Sequence, residues 1–135
     1  MSEQPQPLRY SSGARWETIV GYSRAVRTGN AIEVSGTVSV GEDGMPFGIG
    51  DPGAQATRIL SIIRTAIEAL GGRIDDVVRT RIYVTDISHW EAVGRAHGAV
   101  FADIRPATSM VEVSRLIGPE FLVEIEVTAI THDIG

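Results

Sequence analysis

The chain contains no cysteine and no lysine; its 12 basic residues are all arginine. The first absence removes a thiol nucleophile, a disulfide, a zinc–thiolate centre and an iron–sulfur site. The second removes Schiff-base chemistry on a side-chain amine, and with it conventional pyridoxal-phosphate catalysis. Positive charge is also short. The net charge of −5 disfavours a nucleic-acid partner, which calls for a basic footprint. Apolar runs last only a few residues, far short of a membrane span. The opening stretch MSEQPQPLRYSSGARW holds no apolar segment of signal-peptide length, so a cytoplasmic protein is expected. Neither H-E-x-x-H nor G-x-S-x-G occurs, so zinc hydrolases and α/β-hydrolases lack their signatures. At 135 residues the chain has room for one domain and not for separate cofactor and substrate domains.

What is present reads as alternating structure. Residues 1–15 are polar, with Pro5, Pro7, Ser11, Ser12 and Gly13, and predict a loose N-terminal arm ahead of a single domain over 16–135. Two β-rich runs flank Thr28-Gly29-Asn30, which predicts a hairpin. Its second strand should place Ile32, Val34 and Gly36 on one face, Glu33 and Ser35 on the other. Residues 41–53, rich in glycine, form a loop. Ala56, Ile59, Leu60, Ile63, Ile67 and Leu70 then recur at helical spacing, with Asp51 as cap, Pro52 in the first turn and Gly71-Gly72 as the stop. VVRTRIYVT at 77–85 predicts a strand with Val78, Thr80, Ile82 and Val84 on its inner face. A second helix should open at Ser88 with an S-x-x-E capping box to Glu91. Its inner stripe should be Trp90, Val93, His97, Val100 and Phe101. Strands are expected over 109–113 and 122–131.

Both helices have a single apolar stripe, so both should cover one face of a mixed sheet in an α/β (α+β) fold. The opposite face then carries Arg81, Tyr83, Glu112, Glu124 and Glu126 beside apolar residues. It is too mixed for a free surface and too charged for a monomer core. A homo-oligomer interface fits it best, against a solvated face with incidental ion pairs.

Candidate chemistry is sparse. Gly48, Gly50 and Gly53 spell G-x-G-x-x-G, but a glycine loop precedes them rather than a strand, and Asp51 would repel a pyrophosphate. A capped helix behind a loop explains them better. In one helix His89 and His97 would point about 80° apart and do not converge as a metal pair. His132 lies near a frayed C-terminus. Glu124 and Glu126 share a strand face. Desolvated, they suit general acid–base work; otherwise they are interface ion-pair partners, with Arg81 or Arg115 as candidates.

Several strings go further. Gly21–Val26, G-Y-S-R-A-V, resembles G-P-Y-S-Q-A-V. Val34–Thr37, V-S-G-T, resembles V-S-G-Q. Asp76–Thr80 resembles D-V-V-K-T, with Val84-Thr85-Asp86 at the matching distance. R-P-A-T-S-M-V-E-V-S-R-L at Arg105–Leu116, then V-E-I-E at Val123–Glu126, resembles P-A-R-S-x-V-E-V-A-R-L … I-E-I-E-A. These are marks of the RidA/YjgF (Rid, L-PSP) family, and the resemblance spans about Gly21 to Ala129.

The resemblance implies a chorismate-mutase-like fold, with a mixed six-stranded sheet and two helices on one face. It implies a homotrimer whose sheets line a central barrel, with a small-molecule cleft at each subunit interface. It implies hydrolysis of reactive enamines and imines to 2-keto acids and ammonia, with no metal or cofactor. Carried over by position, Tyr22 is the cleft tyrosine, Ser35 and Gly36 the cleft serine and glycine, and Glu124 the glutamate that positions water. Ser109 and Met110 continue the cleft motif, Met110 where a cysteine is common. The clamp arginine of P-A-R-S is replaced by Thr108. Arg105 precedes the proline and does not fill that position. The family's cleft asparagine falls near Gly94.

A guanidinium grips a carboxylate through two parallel charge-assisted bonds, whereas a threonine hydroxyl offers one neutral bond. The exchange should cost at least about tenfold in carboxylate affinity. Three functions stay open at this point. One is a hydrolase acting on an imine or enamine C–N bond, with Arg24 as a replacement cation two residues from Tyr22. Another is a non-catalytic small-molecule-binding trimer. The last is the ribonuclease label given to some family members, which the acidic balance opposes.

Overall fold

The computed structural model describes residues 6–132. Its axis is the strand β6, Val123–Ile130, in which Val123, Ile125, Val127 and Ala129 are buried and the residues between them half-buried. That alternation pairs one strand face with a core and the other with something partly open. Around it lie β1 (Leu8–Tyr10), β2 (Ala25–Thr28), β3 (Ala31–Val38), β4 (Val77–Val84) and β5 (Ala107–Glu112), in the order β1-β2-β3-β6-β4-β5. Only β4 and β5 run parallel; the remaining pairs are antiparallel. The expected mixed six-stranded α+β architecture is therefore present.

Two long helices supply the core on one sheet face. Helix α2, Pro52–Ala69, buries Ala56, Ile59, Leu60, Ile63 and Ile67, and the Asp51 carboxylate accepts from the Ala54 amide at 3.0 Å. This is an ordinary N-cap, with Gly48 and Gly50 in the loop ahead of it and Gly53 in the first turn of the helix, so the three glycines serve a capped helix behind a loop. Helix α3, Trp90–Phe101, buries Val93 and Phe101. It does not open on a Ser88 capping box. Asp86 caps a 3₁₀ turn over Ile87–His89, accepting from the Ser88 amide and hydroxyl, and Glu91 pairs with Arg95 instead. Trp90, placed on the inner stripe by spacing, is 59% exposed.

A third helix was not anticipated. Helix α1, Arg15–Val20, ends at Gly21 in the left-handed conformation, φ 90°. The loose arm expected over 1–15 also differs, since Leu8–Tyr10 pairs with β2 as the edge strand of the sheet. The part of that expectation on residues 1–5, and the frayed end expected beyond His132, lie outside the described residues.

Two bulges correct the predicted faces. Between Val77 and Arg79 the register against β6 shifts, which leaves Val78 43% exposed rather than inward. Between Val34 and Thr37 a second shift swings Gly36 away from the Ile32–Val34 face. One extra residue in a strand reverses every inside–outside assignment beyond it. Glu112 also leaves the expected open face and accepts from the Ile87 amide at 2.9 Å.

Gln55, fully buried on α2, ties two loops to the core. Its amide donates to Gly48 O and Glu120 O and accepts from Leu122 N, at 3.1, 2.9 and 2.8 Å. Gln55→Ala leaves these three backbone groups unpaired, and stability should fall by roughly 2–4 kcal/mol. Chemical denaturation checks this, with unchanged stability as the contrary result.

Candidate functional site

Beside the end of β6 lies a cavity of about 320 Å³, lined on its polar side by Tyr22, Arg24, Ser35, Gly36 and Glu124. The other walls are Trp16, Val20, Val38 and Ile117. Local geometry explains the convergence. Val38 pairs with Glu124 across the β3–β6 ladder, so both project to the same face. The bulge turns Gly36 toward that carboxylate, and a Cβ added there would overlap Glu124 Oε2. Glycine at 36 thus makes room for the glutamate.

Arg24 links these walls. It is 4% exposed. Its Nη1 donates to Gly36 O at 2.7 Å and Thr37 Oγ1 at 3.1 Å, its Nη2 to the Tyr22 hydroxyl at 3.2 Å, and its Nε to Ser12 Oγ at 3.3 Å. Ser12 in turn donates to Glu17 at 2.6 Å, and Glu17 Oε2 lies 3.9 Å from Arg24 Nη2. Glu17 also accepts from the Ala14 amide at the start of α1. Burial is the largest influence on Glu17 and pushes its pKa up. The hydrogen bonds, led by the Ser12 hydroxyl, together outweigh it and hold the carboxyl below its usual range. The Ser35 hydroxyl donates to Ser23 O at 2.7 Å, which closes the loop between Tyr22 and β3.

Glu124 has the opposite environment. Burial first, and the Glu126 carboxylate second, push its pKa up against the opposing pull of Arg24. Glu126 accepts from the Tyr83 hydroxyl, and this bond, with burial, raises the tyrosine pKa.

The other residues expected from sequence in the site lie apart from this cavity. Thr108, Ser109 and Met110 sit on β5, with β4 between them and β6. Thr108 Oγ1 is 2.8 Å from Thr80 Oγ1, which is 2.9 Å from His97 Nε2, on the helix-covered side. Burial lowers the His97 pKa, which suits a neutral ring. Met110 packs against the core on that same side. Ser109 Oγ accepts from Arg79 Nη2 at 2.8 Å. Arg105, with φ 55°, donates to Ala102 O at the end of α3.

Four wall residues were missed from sequence. Trp16 and Val20 are four apart on α1, a signal that exists only once α1 is known to be a helix. Val38 follows from the bulge. Nothing in the sequence marks Ile117.

The family model described as Endoribonuclease L-PSP matches residues 12–131. The chain belongs to the RidA/YjgF family. Among solved structures, a YjgF/YER057c/UK114 member from Mycobacterium tuberculosis is 48% identical, with a TM-score of 0.85, covering 93% of this chain and 100% of that one. The Escherichia coli YjgF product is 33% identical at a TM-score of 0.74, covering 81% and 87%. A RutC family protein of Pyrococcus abyssi is 31% identical over 80% of this chain and 84% of its own. The RidA/YjgF fold thus frames the cavity described above. Among the described residues no helix is long and apolar enough to cross a membrane.

The raised Glu124 pKa has a consequence for stability. The folded protein binds a proton there more tightly than the unfolded chain does. The wild type therefore loses stability as pH rises from the ordinary glutamate pKa, about 4.3, up to the folded value. Glu124→Gln removes that dependence. The thermal midpoint of the variant relative to wild type should climb between acid and neutral pH. A constant difference across that range would contradict the assignment.

Proposed function

We propose that this chain forms a homotrimer in the cytoplasm and that its cavity hydrolyses reactive imines or enamines, with no metal or cofactor required. The observation that carries this reading is the convergence of Tyr22, Ser35 and Gly36 on a desolvated Glu124 in one small cavity. In the reaction, the oxygen of water bonds to the imine carbon and the C–N bond breaks, leaving a carbonyl compound and ammonia. Glu124 accepts one proton of the attacking water and gives it to the nitrogen as the carbinolamine forms. It then carries the remaining hydroxyl proton to the same nitrogen as the C–N bond breaks, an enamine entering this course after tautomerising to its imine. A carboxyl with a raised pKa is suited to both halves of that transfer. Tyr22, its hydroxyl fixed by Arg24, orients the substrate.

Two features support assembly. The face bearing Arg81, Tyr83, Glu124 and Glu126 lies opposite the one that α2 and α3 cover, and β5 leaves one strand edge unpaired with Val111 46% exposed. In a trimer the Thr108–Met110 segment of one subunit would complete the cavity of the next, which accounts for the division of the site residues within one protomer.

One observation favours the second reading, a non-catalytic binding trimer. Arg24 is held by four neighbours and is not a free fork for a substrate carboxylate. The ribonuclease function named in the family description is not carried over, because a net charge of −5 and a central carboxylate oppose a polyanion.

Imines generated in situ by an amine or amino-acid oxidase provide the test. Wild type should accelerate ammonia release, and Glu124→Gln should lose about 100-fold or more. Gly36→Ala, which displaces the Glu124 side chain, should lose activity while keeping its thermal midpoint. Absence of wild-type acceleration with every imine would leave the binding reading. Light scattering should give three times the protomer mass; a monomer would remove the composite cleft.

A further inference from the structure

The cavity has one polar end and one apolar end. At the polar end are Tyr22 and Glu124. At the apolar end Trp16 and Val20, one turn apart on α1, face Val38 and Ile117. Val20 and Ile117 are 70% and 63% exposed, more apolar surface than a solvent-facing rim needs. Trp16 is braced from behind, its ring edge-on to Phe121 at 6.2 Å and under Arg15 at 5.3 Å.

Glu124 is the ionisable acid of the lining, and Arg24 its one basic residue among the described residues. The Arg24 guanidinium already donates to Ser12, Tyr22, Gly36 and Thr37 and lies beside Glu17. A carboxylate entering the cavity would meet the negative charge of Glu124. It would also have to break the bonds that hold the walls in place. Desolvating an anion without a paired cation is costly. Thr108, Ser109 and Met110, which would complete the cavity from the next subunit, are themselves uncharged, and the nearby Arg79 guanidinium donates to Ser109 Oγ.

We propose that the cavity selects imines, and the carbonyl compounds they become, that carry a small apolar group and no carboxylate. This deepens the hydrolase reading and rests on it for the imine, while the preference itself belongs to binding. The apolar group lies between Trp16, Val20, Val38 and Ile117. The C=N or C=O group lies toward Tyr22 and Glu124. The volume of about 320 Å³ is at the small end of ligand pockets.

A binding measurement tests the preference separately from turnover. Trp90→Phe removes the exposed tryptophan and leaves Trp16 as the only one of the chain's two. Its fluorescence then reports occupancy. The probes are 4-methyl-2-pentanone and 4-methyl-2-oxopentanoate, which share the branched chain and differ in the carboxylate. The ketone should bind at least about tenfold more tightly. Val20→Thr, nearly isosteric and exposed, should weaken ketone binding about threefold or more, from the hydroxyl placed against the apolar group. Equal or tighter binding of the keto acid overturns the proposal, as does failure of both probes to bind up to ~10 mM. A ketone preference without turnover of any imine would sustain the ligand class and refute the hydrolase reading.

Discussion

The buried guanidinium of Arg24 organises the functional end of this molecule. Through it, the Tyr22 hydroxyl, the Gly36 carbonyl on β3 and the Ser12 hydroxyl ahead of α1 meet at one planar group. Arginine suits that place because it offers five donors in a fixed plane and stays charged when buried. Glu17, also buried, lies beside it and receives the Ser12 hydroxyl. Removing one partner of such an arrangement leaves a buried charge or carbonyl uncompensated, which typically costs 3–5 kcal/mol for an ion pair. The cavity is thus built around a cation that is already occupied.

That occupancy separates two roles that sequence comparison alone merges. A cation near a binding site invites the idea of a carboxylate clamp. Here the cation fixes walls, and its field on Glu124 only partly offsets burial and the Glu126 charge. Thr108, which motif resemblance sets at the family's clamp position, is bonded to Thr80 and through it to His97. In the function proposed here, chemistry in this cavity centres on Glu124, and selectivity on the apolar walls.

Much of this was legible in the sequence, and the misses have physical causes. The β6 alternation and the α2 stripe are period signals sustained over eight and 18 residues, long enough to override local noise. Tyr22, Ser35, Gly36 and Glu124 came from motif resemblance, and the structure gathers them together. The faces of Val78 and Gly36 were misread because a bulge has no signature in alternation until the partner strand is known. Helix α1 was missed because six residues, RWETIV, are too few for periodicity, although Gly21 after Val20 is a stop signal in retrospect. Trp90 fitted a helical stripe but is the first residue of α3 and stays exposed.

Hydrogen exchange on Arg24→Gln tests most directly whether one guanidinium holds the cavity walls together. Amides of α1 and of the Ser35–Thr37 bulge should lose protection, while those of β4 and β6 keep theirs, because local openings follow the bonds that are lost. Unchanged protection at α1 and the bulge would contradict the account.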